Sequence, residues 1–556
     1  MKNSKKWTAL VLAAMMAASF TSCGGNSGST GSTGGDASSA AASSEGSSEG
    51  GSEGSSEGGS EAVEAEELTL PLSEDTVTLT YFINTDGNAS IVKTDYNDNE
   101  FFQELEKRTN VHIDWQMNSP ADFQTNFNLM IASNQMTDII YGAQYYTDGL
   151  DAAIDDGYFM DLTDLIPKYM PNYSALRNSE DRIRVATMTD SGRLPGVYSI
   201  MTEPQGPWMG LQIRKDWLDK VGMDVPVTFD DWTNVLTAFK DQLGVYAPLS
   251  LNGNGFTDLG RAMMSGFNVD YTWQLTGDGS VAYGPSLDGW REYITQMHDW
   301  YAAGLIDPDF MSANSFMVDM TMVITGKTGS WCSMYTMPSL YESSSEDKEM
   351  NIVPVASPRK QAGDEIHIRM KTNDIGGPTA ISANCKNPEI ALKWLDYLYS
   401  EEGAMLANYG VEGDTYTLND SGEPVFTDKV LNNPDYSFSQ AQASFLCPPS
   451  SIPNHYDWTR ELGSVPEKDI ASYDVWGSVK DDWVMPSLSL TSDEAVERAG
   501  IMTDIQTYAQ EQTTAMITGI QDVETYWDTY VETMKSMNLD RAVEITQAAY
   551  DRYLNR

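Results

Sequence analysis

Hydrophobic and polar positions alternate with two different periods along the first part of the chain. Residues 76–83 are β-branched and aromatic with alternation at their start, which predicts a strand. Residues 99–109 open on Asn99 and place Phe101, Phe102 and Leu105 at helical spacing, which predicts a capped helix. Residues 111–117 alternate again, 121–133 return to helical spacing, and 138–141 form a third short strand pattern. Strands alternating with helices of this length predict an α/β fold with a parallel sheet covered on both faces. Right-handed crossovers then gather the ligand-facing loops along one sheet edge. Further helices are expected over 235–243, 289–303, 388–400, 492–517 and 523–537, and strands over 196–201, 210–214 and 379–382. No repeat with a period of about 20 to 50 residues interrupts this pattern, so a solenoid or propeller is not expected.

The chain opens differently. Lys2, Lys5 and Lys6 precede the apolar run 7–20, and small residues follow, which is the layout of an export signal over residues 1–22. The run is shorter than the roughly 20 residues a membrane-spanning helix needs. It ends at Phe20, Thr21, Ser22, Cys23 and Gly24, which resembles the lipobox of bacterial lipoproteins with Phe20 where Leu is usual. That resemblance implies diacylation of Cys23. Residues 23–67 continue almost entirely in Gly, Ser, Ala and Glu, a composition that cannot build a core and is expected to be disordered. Such a tether has an end-to-end distance of roughly 35 to 40 Å.

The rest of the chain exceeds a single core of about 250 to 300 residues, so two lobes are expected. Residues 1–67 hold three Lys against nine acids, so all but six of the 47 formal negative charges belong to the remainder. That balance argues against a nucleic-acid partner, which demands an excess of Lys and Arg. Cys332, Cys385 and Cys447 are an odd number without CxxC spacing, so neither a disulfide framework nor a zinc site is visible. His112, His298, His367 and His455 are scattered without HExxH, and no GxSxG or P-loop occurs. Asp95, Asn97, Asn99 and Glu106 have calcium-loop spacing, but Glu100 stands where the EF-hand requires Gly, and Asn99 suits a helix cap better. No metal, cofactor or catalytic residue is expected.

The order of motifs resembles the family 1 extracellular solute-binding proteins of ABC importers, in the branch similar to the lipoproteins LipO and LplA. The residues that carry it are 101–115, Thr137 to Ile140, 157–166, 213–218, 226–232, 409–416 and the closing stretch 526–553. The resemblance implies a type II, two-lobe fold of the periplasmic-binding-protein kind, in which the chain crosses a hinge more than once. It places lobe one at 68–202 plus 331–400, and lobe two at 203–330 plus 401–556. It also implies a monomer anchored by lipid on the extracellular face, which closes on its ligand and presents it to a membrane permease.

Sugars present apolar CH faces and hydroxyl edges, so their sites combine flat rings with carboxylates and amides. Trp232, Trp394, Trp527 and Trp217 lie on helical patterns and are expected in the core. Aromatic and acidic residues on Gly- and Pro-rich segments are the ligand-binding candidates: Asp86, Tyr145, Tyr146, Trp208, Trp273, Trp331, Tyr456, Trp458 and Trp483. Glu412, in a Gly-x-Glu-Gly turn motif, joins them, whereas Arg214 is expected to support the helix that follows it. An oligosaccharide is the expected ligand. A peptide, polyamine or other cation, a secreted glycan-active enzyme, and a binding protein feeding a sensor remain open.

Overall fold

The structure is a computed structural model that describes residues 65–85, 91–251, 261–312, 318–448 and 451–556. The signal, Cys23 and most of the tether therefore lie outside the described residues.

Strand β1 (Val77–Asn84), helix α1 (Glu100–Thr109), β2 (Val111–Asn118), α2 (Phe123–Ser133) and β3 (Ile139–Tyr141) follow the predicted rhythm. Asn99 does cap α1: its Oδ1 accepts from the Phe101 amide at 2.8 Å. Its Nδ2 donates to the carbonyls of Ala443 and Leu446, which commits the residue to the fold instead of a cation. The β1 and β2 strands run parallel in unbroken register from Val77 opposite Val111 to Asn84 opposite Asn118. On the other side β1 pairs parallel with β3, where Asp138 Oδ2 accepts from both the amide and hydroxyl of Thr80.

A second sheet is built from β4 (Met209–Arg214), β5 (Ala247–Leu249), β6 (Thr328–Met334) and β7 (Ile352–Val355), in the order β5-β6-β4-β7. Here β4 is antiparallel to both neighbours, and only β5 and β6 run parallel. A fourth strand, β8 (Thr379–Ile381), returns to the first sheet and pairs antiparallel with β3. The expected strand over 196–201 is instead an extended segment with isolated bridges to Thr379, Ile375 and His455.

Each sheet is buried on both faces. In the first, Leu79, Tyr81 and Ile83 face Phe101, Leu105 and Trp394, while Phe82 and Ile140 face Phe123 and Phe127. In the second, Leu211, Ile213 and Val355 face helices α3 (Phe229–Leu243) and α4 (Asp288–Ala302), where Trp232, Trp290 and Trp300 are buried. A neighbouring cluster packs Met209, Trp331, Met334 and Tyr341. Helix α5 (Pro388–Tyr397) covers the first sheet through Trp394, whereas α6 (Ser492–Ile517), α7 (Val523–Ser536) and α8 (Leu539–Leu554) close over the second core. Trp217 and Trp527 are buried there, as their helical spacing predicts.

The lobe boundaries need correction. Strands β6 and β7, at the two ends of 331–355, pair with β4, and so this stretch belongs to the second lobe. Gly329 is decisive, because a Cβ there would sit 2.4 Å from the Phe239 ring, so only Gly lets β6 lie this close to α3. Conversely Leu406, Ala407, Ala443 and Ile452 complete the first core, which places the chain from Thr379 to about Asn454 in lobe one. Arg214 is fully buried, forked onto Asp216 at 2.8 Å and stacked over Trp217 at 4.2 Å, the supporting role expected of it.

Candidate functional site

Three chain crossings join the lobes, and they lie side by side. The segment 196–202 is bonded on one flank to 374–379, through Val197 with Thr379 and the Met201 amide with the Asp374 carbonyl. On its other flank, the Ile200 amide donates to Asn454 and the Tyr456 amide donates to Ile200. Thr202 Oγ1 meets His455 Nε2 at 3.1 Å. Burial holds the His455 imidazole below its usual pKa, which keeps this part of the hinge uncharged.

Where these crossings enter lobe two, rings gather. Tyr473 is their centre: its ring lies 4.6 Å from Tyr335 and 5.1 Å from Trp458, and its hydroxyl accepts from Gln205 Nε2 at 3.1 Å. Gly206 allows the approach, since a Cβ there would stand 2.8 Å from the Tyr473 ring. Trp208 lies one strand over, its carbonyl accepting from the Tyr335 amide at 3.0 Å. Tyr456 donates to Glu461 Oε1 at 2.8 Å, and the buried Arg460 guanidinium binds the same oxygen and the carbonyls of Ala407 and Cys447. The Trp458 indole Nε1 is buried without a hydrogen-bond partner. Burial and the neighbouring Tyr335 push the Tyr473 hydroxyl up, so it stays a neutral donor and acceptor. The buried Tyr335 ring, the half-buried Trp458 and Tyr473 rings, an amide, a carboxylate and an unused indole N–H thus converge where two lobes meet, a surface suited to a flat, polyhydroxylated molecule.

Of the candidates read from sequence, Trp208, Tyr456 and Trp458 come together here. Tyr145 and Tyr146 sit at the carboxyl end of β3, where Tyr145 packs on Phe123 and Phe127 and Tyr146 bonds Asp156. Trp273 and Trp483 form a second group in lobe two, with Trp483 stacked on His367 at 4.3 Å and Trp273 tilted against Tyr283 at 5.4 Å. Asp86 lies outside the described residues. Glu412 is exposed on a turn and lines an open groove of about 890 Å³ with Arg108, Tyr397, Glu402 and the segment from Ala65, away from the hinge rings. Trp331 must be withdrawn as a ligand contact. It is fully buried in β6, edge-on to Tyr341, because that strand is covered on both sides.

Gln205, Tyr335, Glu461 and Tyr473 were not legible as site residues in the sequence. Gln205 and Tyr473 are 268 positions apart, and only the fold joins them. Among the described residues no group of three or more His, Cys, Asp or Glu could hold a metal ion, and no helix is long and apolar enough to cross a membrane.

A model of the bacterial extracellular solute-binding proteins matches residues 88–405. The fructooligosaccharide ABC transporter substrate-binding protein FusA of Streptococcus pneumoniae serotype 4 is 25% identical over 525 residues, covering 88% of this chain and 92% of FusA. The lipoprotein LipO of Bacillus subtilis is 25% identical over 371 residues, 62% of this chain and 70% of LipO. Among solved structures, an HMO-binding solute-binding protein from Bifidobacterium longum infantis superposes with a TM-score of 0.70 at 18% identity, covering 86% of this chain and 99% of the other. At that identity the likeness shows the two-lobe fold.

Proposed function

The chain belongs to the bacterial extracellular solute-binding proteins, and from that premise we propose that it captures an oligosaccharide between its lobes and presents it to an ABC permease. The observation that carries this reading is the group of Trp458, Tyr473 and Tyr335 rings at the hinge, with Gln205 and Glu461 at their edges. Rings in that position contact the ligand while the crossings beside them bend, so binding energy is spent on closure. Ligand favours the closed form only through its greater affinity for that form.

FusA, by its name, binds fructooligosaccharides, which supports a sugar and makes that series the first to try. The lipobox-like Cys23 supports a lipid anchor on the extracellular face, with one copy of the chain as the working unit. Binding without catalysis is part of the same proposal.

A thermal-shift screen of the purified chain tests it, with neutral and acidic oligosaccharides, short peptides and polyamines. A ligand at about 100 times its Kd adds about 2.7 kcal/mol of stability. A shift with one glycan series supports the proposal. Silence from every sugar with a response to peptides or amines overturns the ligand class and leaves the family intact.

A further inference from the structure

Lobe one presents a tight turn to lobe two. The Gly192 amide donates to the Thr189 carbonyl at 3.0 Å, the Thr189 amide donates to Arg193 at 2.9 Å, and Gly192 takes the φ of +84° that closes the turn. Asp190 stands at its tip. The turn is stiffened from below, where Asp151 Oδ1 accepts from Thr189 Oγ1, Ser191 Oγ and Arg193 Nε at 2.6 to 2.8 Å. Asp151 belongs to the short helix Leu150–Asp155, so the turn is tied into the body of lobe one.

Arg552 of α8, which is seated in lobe two, and Arg556 just beyond its end reach across to this single carboxylate. Arg552 Nε donates to Asp190 Oδ2 at 2.7 Å and Arg556 Nε donates to Oδ1 at 2.8 Å. Arg552 is itself aimed by Glu494, the capping-box residue of α6, which accepts from both of its terminal nitrogens. Arg556 goes further, into lobe one, where it also donates to the carbonyl of Met188 at 3.1 Å, and its side chain is only 3% exposed. A neighbouring bond, Ser492 Oγ to Asp148 Oδ1 at 2.7 Å, spans the same gap.

We infer that Asp190, Arg552 and Arg556 form a latch between the two lobes, close to the chain crossings, a contact that a wider opening of the lobes must break. These are positioning residues. The latch sets how much closure free energy a ligand still has to supply. It rests on the two-lobe reading and needs no particular ligand.

The test is the inter-lobe distance in the ligand-free full chain carrying Cys23→Ser. Spin labels go at Leu129→Cys and Ile520→Cys, which are 64% and 77% exposed, while the three other thiols are buried. Asp190→Asn and Arg552→Gln are expected to shift the distance distribution to longer values. Salt at about 1 M, where screening acts over roughly 3 Å, should shift the native chain in the same direction and leave the variants unmoved. The charge-conserving Arg552→Lys should keep the shorter distances, an effect that separates loss of the ion pair from loss of folding. Glu494→Gln, which can keep the capping-box bond to the Thr491 amide while removing the charge that aims Arg552, gives a smaller shift if the single variants are too unstable to study. Unchanged distributions in folded Asp190→Asn and Arg552→Gln overturn the latch.

Discussion

The indole Nε1 of Trp331 donates to Gln212 Oε1 at 3.0 Å, and both side chains are wholly buried inside the second sheet. Gln212 is held in turn by the Met334 carbonyl at 2.8 Å. A ring so placed serves stability. Trp331→Ala is expected to cost about 3 to 5 kcal/mol in denaturant unfolding. Trp331→Phe should cost about 1 to 3 kcal/mol, because it strands the buried Gln212 oxygen. The folded fraction of each should bind ligand as the native chain does, and a large affinity loss in folded Trp331→Phe would return this residue to the site.

Trp458 and Tyr473 give the opposite pattern. Truncating a large, partly desolvated ring at a binding site typically costs 2 kcal/mol or more, roughly thirtyfold in Kd. Calorimetric titration of Trp458→Ala and Tyr473→Ala with the sugar found by thermal shift should show that loss, while their melting temperatures without ligand move far less than that of Trp331→Ala. Equal affinities would remove the hinge rings from the site.

Asp396 is fully buried without a cation and accepts from the Tyr173 amide at 2.8 Å and from Asn172 Nδ2 at 2.8 Å. Burial pushes its carboxyl up to about 6 from an ordinary value of 3.8. As pH rises, the unfolded chain therefore ionises first, and the folded chain loses relative stability between about pH 4 and 6. At 1.36 kcal/mol per unit of pKa the loss is about 3 kcal/mol, complete above pH 7. Asp396→Asn has no such group, so the stability difference between native and variant should narrow or reverse by about that amount from pH 4 to 7. Parallel stability curves would show that Asp396 ionises normally.

Cys385 and Cys447 are buried thiols pushed up to about 12 by desolvation, and Cys332 lies buried in β6. Thiolate is the reactive form. Alkylation by iodoacetamide at pH 8 should leave all three unmodified in the native chain and modify them once urea unfolds it. Mass-spectrometric detection of rapid native labelling would show one of them to be open to solvent.

Cys23 carries the proposed anchor. In the producing cell, Cys23→Ser should move the chain from the membrane fraction to the medium with its fold unchanged. Retention at the membrane would point to another attachment.

Lobe one was the more legible half. Its first strands alternate and Asn99 caps α1, so β1, α1, β2, α2 and β3 could be placed from residues 76–141 alone. Lobe two hides its sheet. The β6 sequence, Thr-Gly-Ser-Trp-Cys-Ser-Met, has no alternation because every position is buried, and its Trp looked like a ring on a flexible loop. The site was half legible for a related reason. Trp208, Tyr456 and Trp458 stand near Gly or Pro and drew attention, but Tyr335 and Tyr473 meet each other across more than a hundred positions, where local pattern carries no information.

The first lobe is built from chain that is far apart in sequence: Leu79 and Ile452 belong to one core, and β8 completes a sheet begun at Val77. A chain that emerges residue by residue cannot finish this lobe until most of its length is available, because contacts of such long separation pay their loop-closure cost first. For the proposed route through a membrane this delay is useful. A polypeptide that stays unfolded until late remains threadable during export, and it acquires its binding surface only on the side where its ligand is found.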